Sequence, residues 1–178
     1  MKTYIALFRG INVGGRNILP MKDLVLILES LGHENVKTYI QSGNVIFQNK
    51  HTIGLKDTIE ISNEIHRKMG FEPKVIIINL IQFSESIKRN PFPIDNGKIL
   101  HFFFLESKPK TPAIEKLESL KTESEEFALI ENVYYLYAPD GIGRSKLAAA
   151  SEKLLGVTIT ARNLNTVNKL AAMITNLE

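Results

Sequence analysis

The order in which hydrophobic periods follow one another limits the fold of this chain more than any single motif does. Thr3–Phe8 is a nearly all-apolar run, the pattern of a buried central strand. Met21, Leu24, Val25, Leu28 and Leu31 then fall at helical spacing, with Pro20 at the helix start and Gly32 just past its end. Val36–Ile40 and Asn44–Gln48 read as two strands around Ser42-Gly43, a hairpin signal. Leu55, Ile59, Ile65 and Met69 mark a second helix closed by Gly70, and Lys74–Ile78 a fourth strand. The order is βαββαβ, the split-βαβ or ferredoxin-like unit.

The same order then starts again. Ile81–Arg89 reads as a connecting helix and residues 90–97 as a loop rich in Pro, Asn and Gly. Lys98–Leu105 is a strand apolar on both faces, followed by a helix over Pro112–Leu120. Phe127–Ile130 and Val133–Tyr137 form a hairpin turning at Glu131-Asn132, and a helix over Ser145–Leu155 ends at Gly156. Val157–Thr160 is a short strand, and Leu164, Val167, Leu170, Ala171, Ile174 and Leu177 stripe a last helix. The expected class is α+β: tandem ferredoxin-like halves, residues 1–79 and 98–178, joined by a connector over 80–97, with an added C-terminal helix. Element order carries the duplication; the residues themselves repeat weakly.

Composition narrows the setting. With 178 residues, 44% of them hydrophobic, the chain can bury a full core. No apolar run approaches the roughly 20 residues of a membrane helix, and there is no signal-peptide pattern. Cys is absent, so disulfides and thiolate metal sites are excluded. A cytoplasmic location is expected. The net charge of +3 permits a polyanion partner without demanding one. Its distribution is more telling: residues 1–50 carry six basic side chains against three acids, and residues 141–178 carry five against two. The 115–131 stretch is acidic, with six Glu against two Lys.

The basic residues concentrate in glycine-bearing loops. The first reads Arg9-Gly10-Ile11-Asn12-Val13-Gly14-Gly15-Arg16-Asn17, without an acid. Glycines let successive amides turn toward one point, which suits an anion. Gly10 and Gly15 have P-loop spacing, yet Arg16 stands for the P-loop Lys and Asn17 lacks the Mg²⁺-binding hydroxyl, so a P-loop NTPase is not expected. A second tip, Gln41-Ser42-Gly43-Asn44, offers short polar groups or simply residues that tolerate positive φ. A third runs from Pro139 through Asp140, Gly141, Gly143 and Arg144 to Ser145 and Lys146; Ser145 or Asp140 caps the following helix. Cations at a helix start oppose the macrodipole, which makes sense around a bound anion. The fourth holds Arg162 and Asn163, with Thr160 or Asn163 as cap. His33, His51, His66 and His101 show no metal-ligand spacing, and no metal or cofactor is expected. Phe102-Phe103-Phe104 invite comparison with base-stacking strands, but consecutive rings point to both faces, so one face at least is core.

Together, Arg9–Asn17, Thr38–Asn44, Pro139–Leu147 and Thr160–Leu170 resemble the bacterial family of proteins of unknown function DUF1697. The resemblance implies a stand-alone cytosolic α/β protein with tandem ferredoxin-like halves, and it implies no reaction. The chain departs from the family at Leu164, where a Trp often stands.

The loops lead to a ligand-binding expectation: Arg9, Gly10, Asn12, Gly14, Gly15, Arg16 and Asn17, with Gln41, Ser42 and Asn44, and with Asp140, Gly141, Gly143, Arg144, Ser145, Lys146, Arg162 and Asn163, face an anionic ligand such as nucleic acid, a nucleotide or phosphate. Two alternatives stay open. One is an enzyme on a small phosphorylated or carboxylated substrate, with Asp140 its sole nearby base. The other is a protein-interaction module working through a sheet edge or the acidic stretch.

Overall fold

A computed structural model describes residues 1–177. The chain is mixed α+β, with two four-stranded antiparallel sheets and six α-helices among the described residues. It divides into two compact units, Met1–Glu85 and Ser86–Leu177. None of the described helices is long and apolar enough to cross a membrane.

In the first unit β1 (Lys2–Arg9), β2 (Glu34–Tyr39), β3 (Asn44–Asn49) and β4 (Lys74–Asn79) lie in the order β2-β3-β1-β4. β1 is central, pairing Leu7 with Asn44 on one side and Ile76 on the other. Six consecutive residues of β1, Thr3–Phe8, are buried, because both its faces are covered. Tyr4, Ala6 and Phe8 pack into one core with Leu24, Ile27 and Leu28 of α1 (Met21–Ser30) and Ile61 and Ile65 of α2 (Leu55–Met69). Burying each such Leu, Ile or Phe is worth about 1.5–3 kcal/mol. α1 stops at Gly32, whose φ of 82° lets its amide reach Glu29 O and the next amide, of His33, reach Leu28 O. The α2 stripe differs from the expected one: Leu55 and Ile59 are exposed, and the buried line runs through Ile61 and Ile65. Ile59 and Ile61 are two residues apart, about 200° around the helix axis, so when Ile61 faces the core Ile59 faces away from it. On the edge strand β2 the register shifts between Glu34 and Lys37, a bulge around Asn35, which takes φ 53°.

The second unit repeats the plan with β5 (Leu100–Leu105), β6 (Glu126–Ile130), β7 (Val133–Tyr137) and β8 (Ile159–Asn163), in the order β6-β7-β5-β8. α3 (Leu80–Lys88) precedes it in the chain. Phe103, Leu105, Tyr134, Leu136 and Ile159 pack with Leu117 of α4 (Ile114–Leu120) and Leu147 and Leu155 of α5 (Lys146–Leu155). On the other face Phe102 meets Tyr135 edge-on, and Tyr135 donates its hydroxyl to Ser86 O at 2.7 Å. All three phenylalanines of β5 are therefore core, and none presents a ring for stacking a base. β8 runs on to Asn163, beyond the expected end at Thr160, because its pairing with β5 continues to His101↔Asn163. α6 (Leu164–Thr175) packs on β5 and β8.

Two buried histidines give the fold a pH dependence. His33 lies against the Phe47 ring, with Asn49 Nδ2 3.0 Å from its Nδ1, and His101 is buried on β5. Burial lowers both pKa values below the ordinary 6.5. The native state thus favours neutral rings, while the unfolded chain takes up protons first. Stability is fully present above pH 6.5 and falls as pH drops through and below it. We expect Tm to decline from pH 7.5 to 5, and His101→Leu to flatten part of that decline; a Tm independent of pH over this range would show neither ring is held neutral.

Candidate functional site

The loop after β1 is a miniature hairpin. Val13 and Arg16 bridge, Arg16 N donates to Val13 O at 3.0 Å, and Gly14 and Gly15 between them take φ 58° and 73°. Two consecutive left-handed residues make a two-residue primed turn, and glycine adopts it without strain. Below the tip, Asn12 N donates to Asn17 O and Asn17 Nδ2 to Gly10 O. Both asparagines sit at positive φ, which their side chains tolerate.

Asn12 is the keystone of this region. Its Nδ2 donates to Leu19 O and to Gln41 O, each at 2.9 Å, and its Oδ1 accepts Leu19 N at 2.8 Å. One amide thus joins loop 9–17 to the β2–β3 tip. That tip is held from its other side by Gly43, whose O accepts Phe8 N at 2.8 Å. Asn44 is buried, and its Nδ2 donates to Tyr39 O and Ser42 Oγ. Asn12, Asn17 and Asn44 are therefore spent on shaping the loops. Gly14, Gly15, Arg16, Gln41 and Ser42 are exposed.

The second unit has a parallel arrangement. After β7, Gly141 turns at φ 92° into a single 3₁₀ turn, Ile142–Arg144. Ser145 is the N-cap of α5: its Oγ accepts Ala148 N at 2.9 Å, and the residue is buried. Asp140 does not cap; its Oδ2 accepts the Ser124 hydroxyl at 2.6 Å. Asn163 caps α6 by accepting Thr166 N at 3.0 Å. Arg162 lies at the end of β8 rather than in a loop, one residue before the N-cap of α6, and is partly buried. Its Nη1 donates to Thr160 Oγ1 and Ala161 O, and burial lowers its pKa to about 10, so it stays charged at neutral pH. Leu164 is 2% exposed and begins the core stripe of α6, so its side chain faces the core rather than a ligand.

The cations divide accordingly. Arg16, Arg144 and Lys146 are exposed and form no ion pair among the described residues. Arg9 is exposed and has partners. Some other cations are matched with acids, as where Glu64 takes both Arg67 and Lys68 and is held down to about pKa 2, chiefly by the Arg67 hydrogen bonds. Residues that periodicity did not single out also border the first site. Val13, Ile18 and Ile40 are 67%, 57% and 52% exposed. Ile40 takes φ 49°, a conformation β-branched residues avoid. Its β-propensity reads as strand, so nothing in its own identity signals the turn.

The comparisons agree with this picture of a family without an assigned reaction. The family described as "Protein of unknown function (DUF1697)" matches residues 1–135. No curated protein matches the chain. Among solved structures, the conserved bacterial protein SP0830 from Streptococcus pneumoniae is similar over 97% of this chain and 98% of its own, at 26% identity and a TM-score of 0.72.

Proposed function

Because the chain belongs to the DUF1697 family, whose description assigns no function, we propose a role from its own geometry: it binds an anionic ligand, nucleic acid or a nucleotide, through its glycine-bearing basic loops. The observation that carries this reading is that Arg16, Arg144 and Lys146 form no ion pair among the described residues, while Asn12, Asn17 and Ser145 in the adjoining loops are already hydrogen-bonded. An exposed guanidinium beside a primed glycine turn leaves both its charge and nearby amides for phosphate oxygens. In the second unit, Arg144 and Lys146 flank the capped start of α5, where the macrodipole adds to their field. The strand orders β2-β3-β1-β4 and β6-β7-β5-β8 support reading each half as ferredoxin-like.

The test is salt dependence. Binding of a labelled oligonucleotide falls steeply from 50 to 200 mM salt, and replacing Arg16, Arg144 or Lys146 with Ala lowers the slope of log K against log salt by about 0.7 for each single-strand phosphate contact removed. No detectable binding at low salt, or a slope unchanged in all three variants, would sink the reading.

A further inference from the structure

Resting on that anion-binding reading, the first unit's joined loop tip carries a second property the charges do not explain. Three aliphatic side chains stand more than half exposed there: Val13, Ile18 and Ile40. The segments that carry them are joined at one atom. Asn12 Nδ2 lies 2.9 Å from Leu19 O and 2.9 Å from Gln41 O, so Asn12, Leu19 and Gln41 meet at a point. Val13, Ile18 and Ile40 are the chain neighbours of those three residues.

Their exposure is not incidental to the fold. Ile40 occupies the left-handed region, where Gly or Asn would sit without strain, as Asn12, Asn17 and Gly43 do close by. An exposed side chain gains little packing to offset that strain, and strained residues gather at binding sites. The loop segments themselves carry no acid. No Asp or Glu occurs from Met1 to Lys22 or from Asn35 to Lys56, so both loops lie in acid-free stretches, with Arg16 at the tip.

We propose that this tip binds single-stranded nucleic acid, with bases lying on Val13, Ile18 and Ile40 and a phosphate on Arg16. A small nucleotide needs a concave pocket that buries most of its surface. Val13, Ile18 and Ile40 are each more than half exposed, so none lines such a pocket, and a polymer can contact them from solvent. Apolar side chains meet base faces only where the bases are unstacked, which selects single strands over duplex. Charge complementarity favours nucleic acid over an uncharged or cationic protein partner. A membrane is the weaker occupant: three aliphatic side chains and one arginine fall short of the two signals that stable anchoring takes.

The test uses the full chain and a fluorescent oligothymidylate of about 12 nucleotides, with site sizes of this order in mind. Competitors are inorganic polyphosphate, a duplex of equal length and phosphatidylglycerol vesicles. The single strand is expected to bind about tenfold more tightly than polyphosphate at matched charge. Ile40→Gly should raise Tm by removing strain and yet weaken the single strand about tenfold, while leaving polyphosphate unchanged. Ile18→Ser should act the same way on binding. Equal competition by polyphosphate or duplex overturns base contact and leaves the anion reading standing. Vesicle binding that is lost in Ile18→Ser overturns the proposal in favour of a lipid surface. Undetectable binding of any anion removes both readings.

Discussion

Gly43→Ala is expected to destabilise the protein by about 2–4 kcal/mol, summing a left-handed alanine and an overpacked contact. Gly43 lies one step beyond the Leu7↔Asn44 pair, with φ 74° and its carbonyl accepting Phe8 N. A Cβ there would stand 2.5 Å from Phe8 Cβ and 2.8 Å from Ile11 Cδ1. The isoleucine methyl can swing aside; the phenylalanine Cβ is fixed to the central strand and cannot. Either β1 and β3 separate at this point or the tip rearranges. Chemical denaturation should show the loss directly, and Gly14→Ala is the control: its φ is 58° but nothing lies within 4 Å of its added Cβ, so it should cost only about 1–2 kcal/mol. Equal costs at the two positions would refute the steric account.

Asn12→Ala should cost about 3–6 kcal/mol and abolish ligand binding. Three hydrogen bonds are lost, each worth about 0.5–1.5 kcal/mol net, and a left-handed residue becomes one that resists that conformation. The two outcomes have separate causes. Stability falls because the Leu19 amide and the Leu19 and Gln41 carbonyls lose their partner. Binding falls because loop 9–17 and the β2–β3 tip are no longer held together. Asn12→Asp discriminates: its carboxylate keeps the bond from Leu19 N but cannot donate to Leu19 O or Gln41 O, and it adds a negative charge to a loop that has none. It should bind anions no better than the alanine variant. A variant that keeps wild-type affinity at low salt would show that the joined loops are not where the ligand sits.

Much of this architecture can be read from hydrophobic period. Thr3–Phe8 and Leu100–Leu105 announce central strands because both faces of each are covered, which leaves no polar alternation. The helix ends at Gly32, Gly70 and Gly156 are legible because each needs a positive φ that glycine supplies. Period fails where tertiary contact decides. Leu55 and Ile59 look as apolar as Ile61 and Ile65, and only the position of the sheet separates the two lines. β8 outruns its apolar stretch because the β5 ladder keeps pairing Thr160, Ala161, Arg162 and Asn163. At the candidate site the residue types were legible and their division of labour was not. Asn12, Asn44 and Asn163 look like Ser42 or Gln41 in a one-dimensional reading, yet their amides build the loops. Ile40 is the extreme case, a strand former held in a turn by its neighbours.

The irregularity at Asn35 bears on how the molecule behaves in a crowd of its own copies. β2 lies at the margin of its sheet, so its outer amides and carbonyls would otherwise offer a straight template to a further chain. The register slip next to the left-handed Asn35 breaks the repeat of those groups, and exposed Lys37 would set an ammonium against that of any identical strand approaching. Concentration alone should therefore not drive fibril growth from this margin, which lets the loops at the strand ends stay accessible at high protein load.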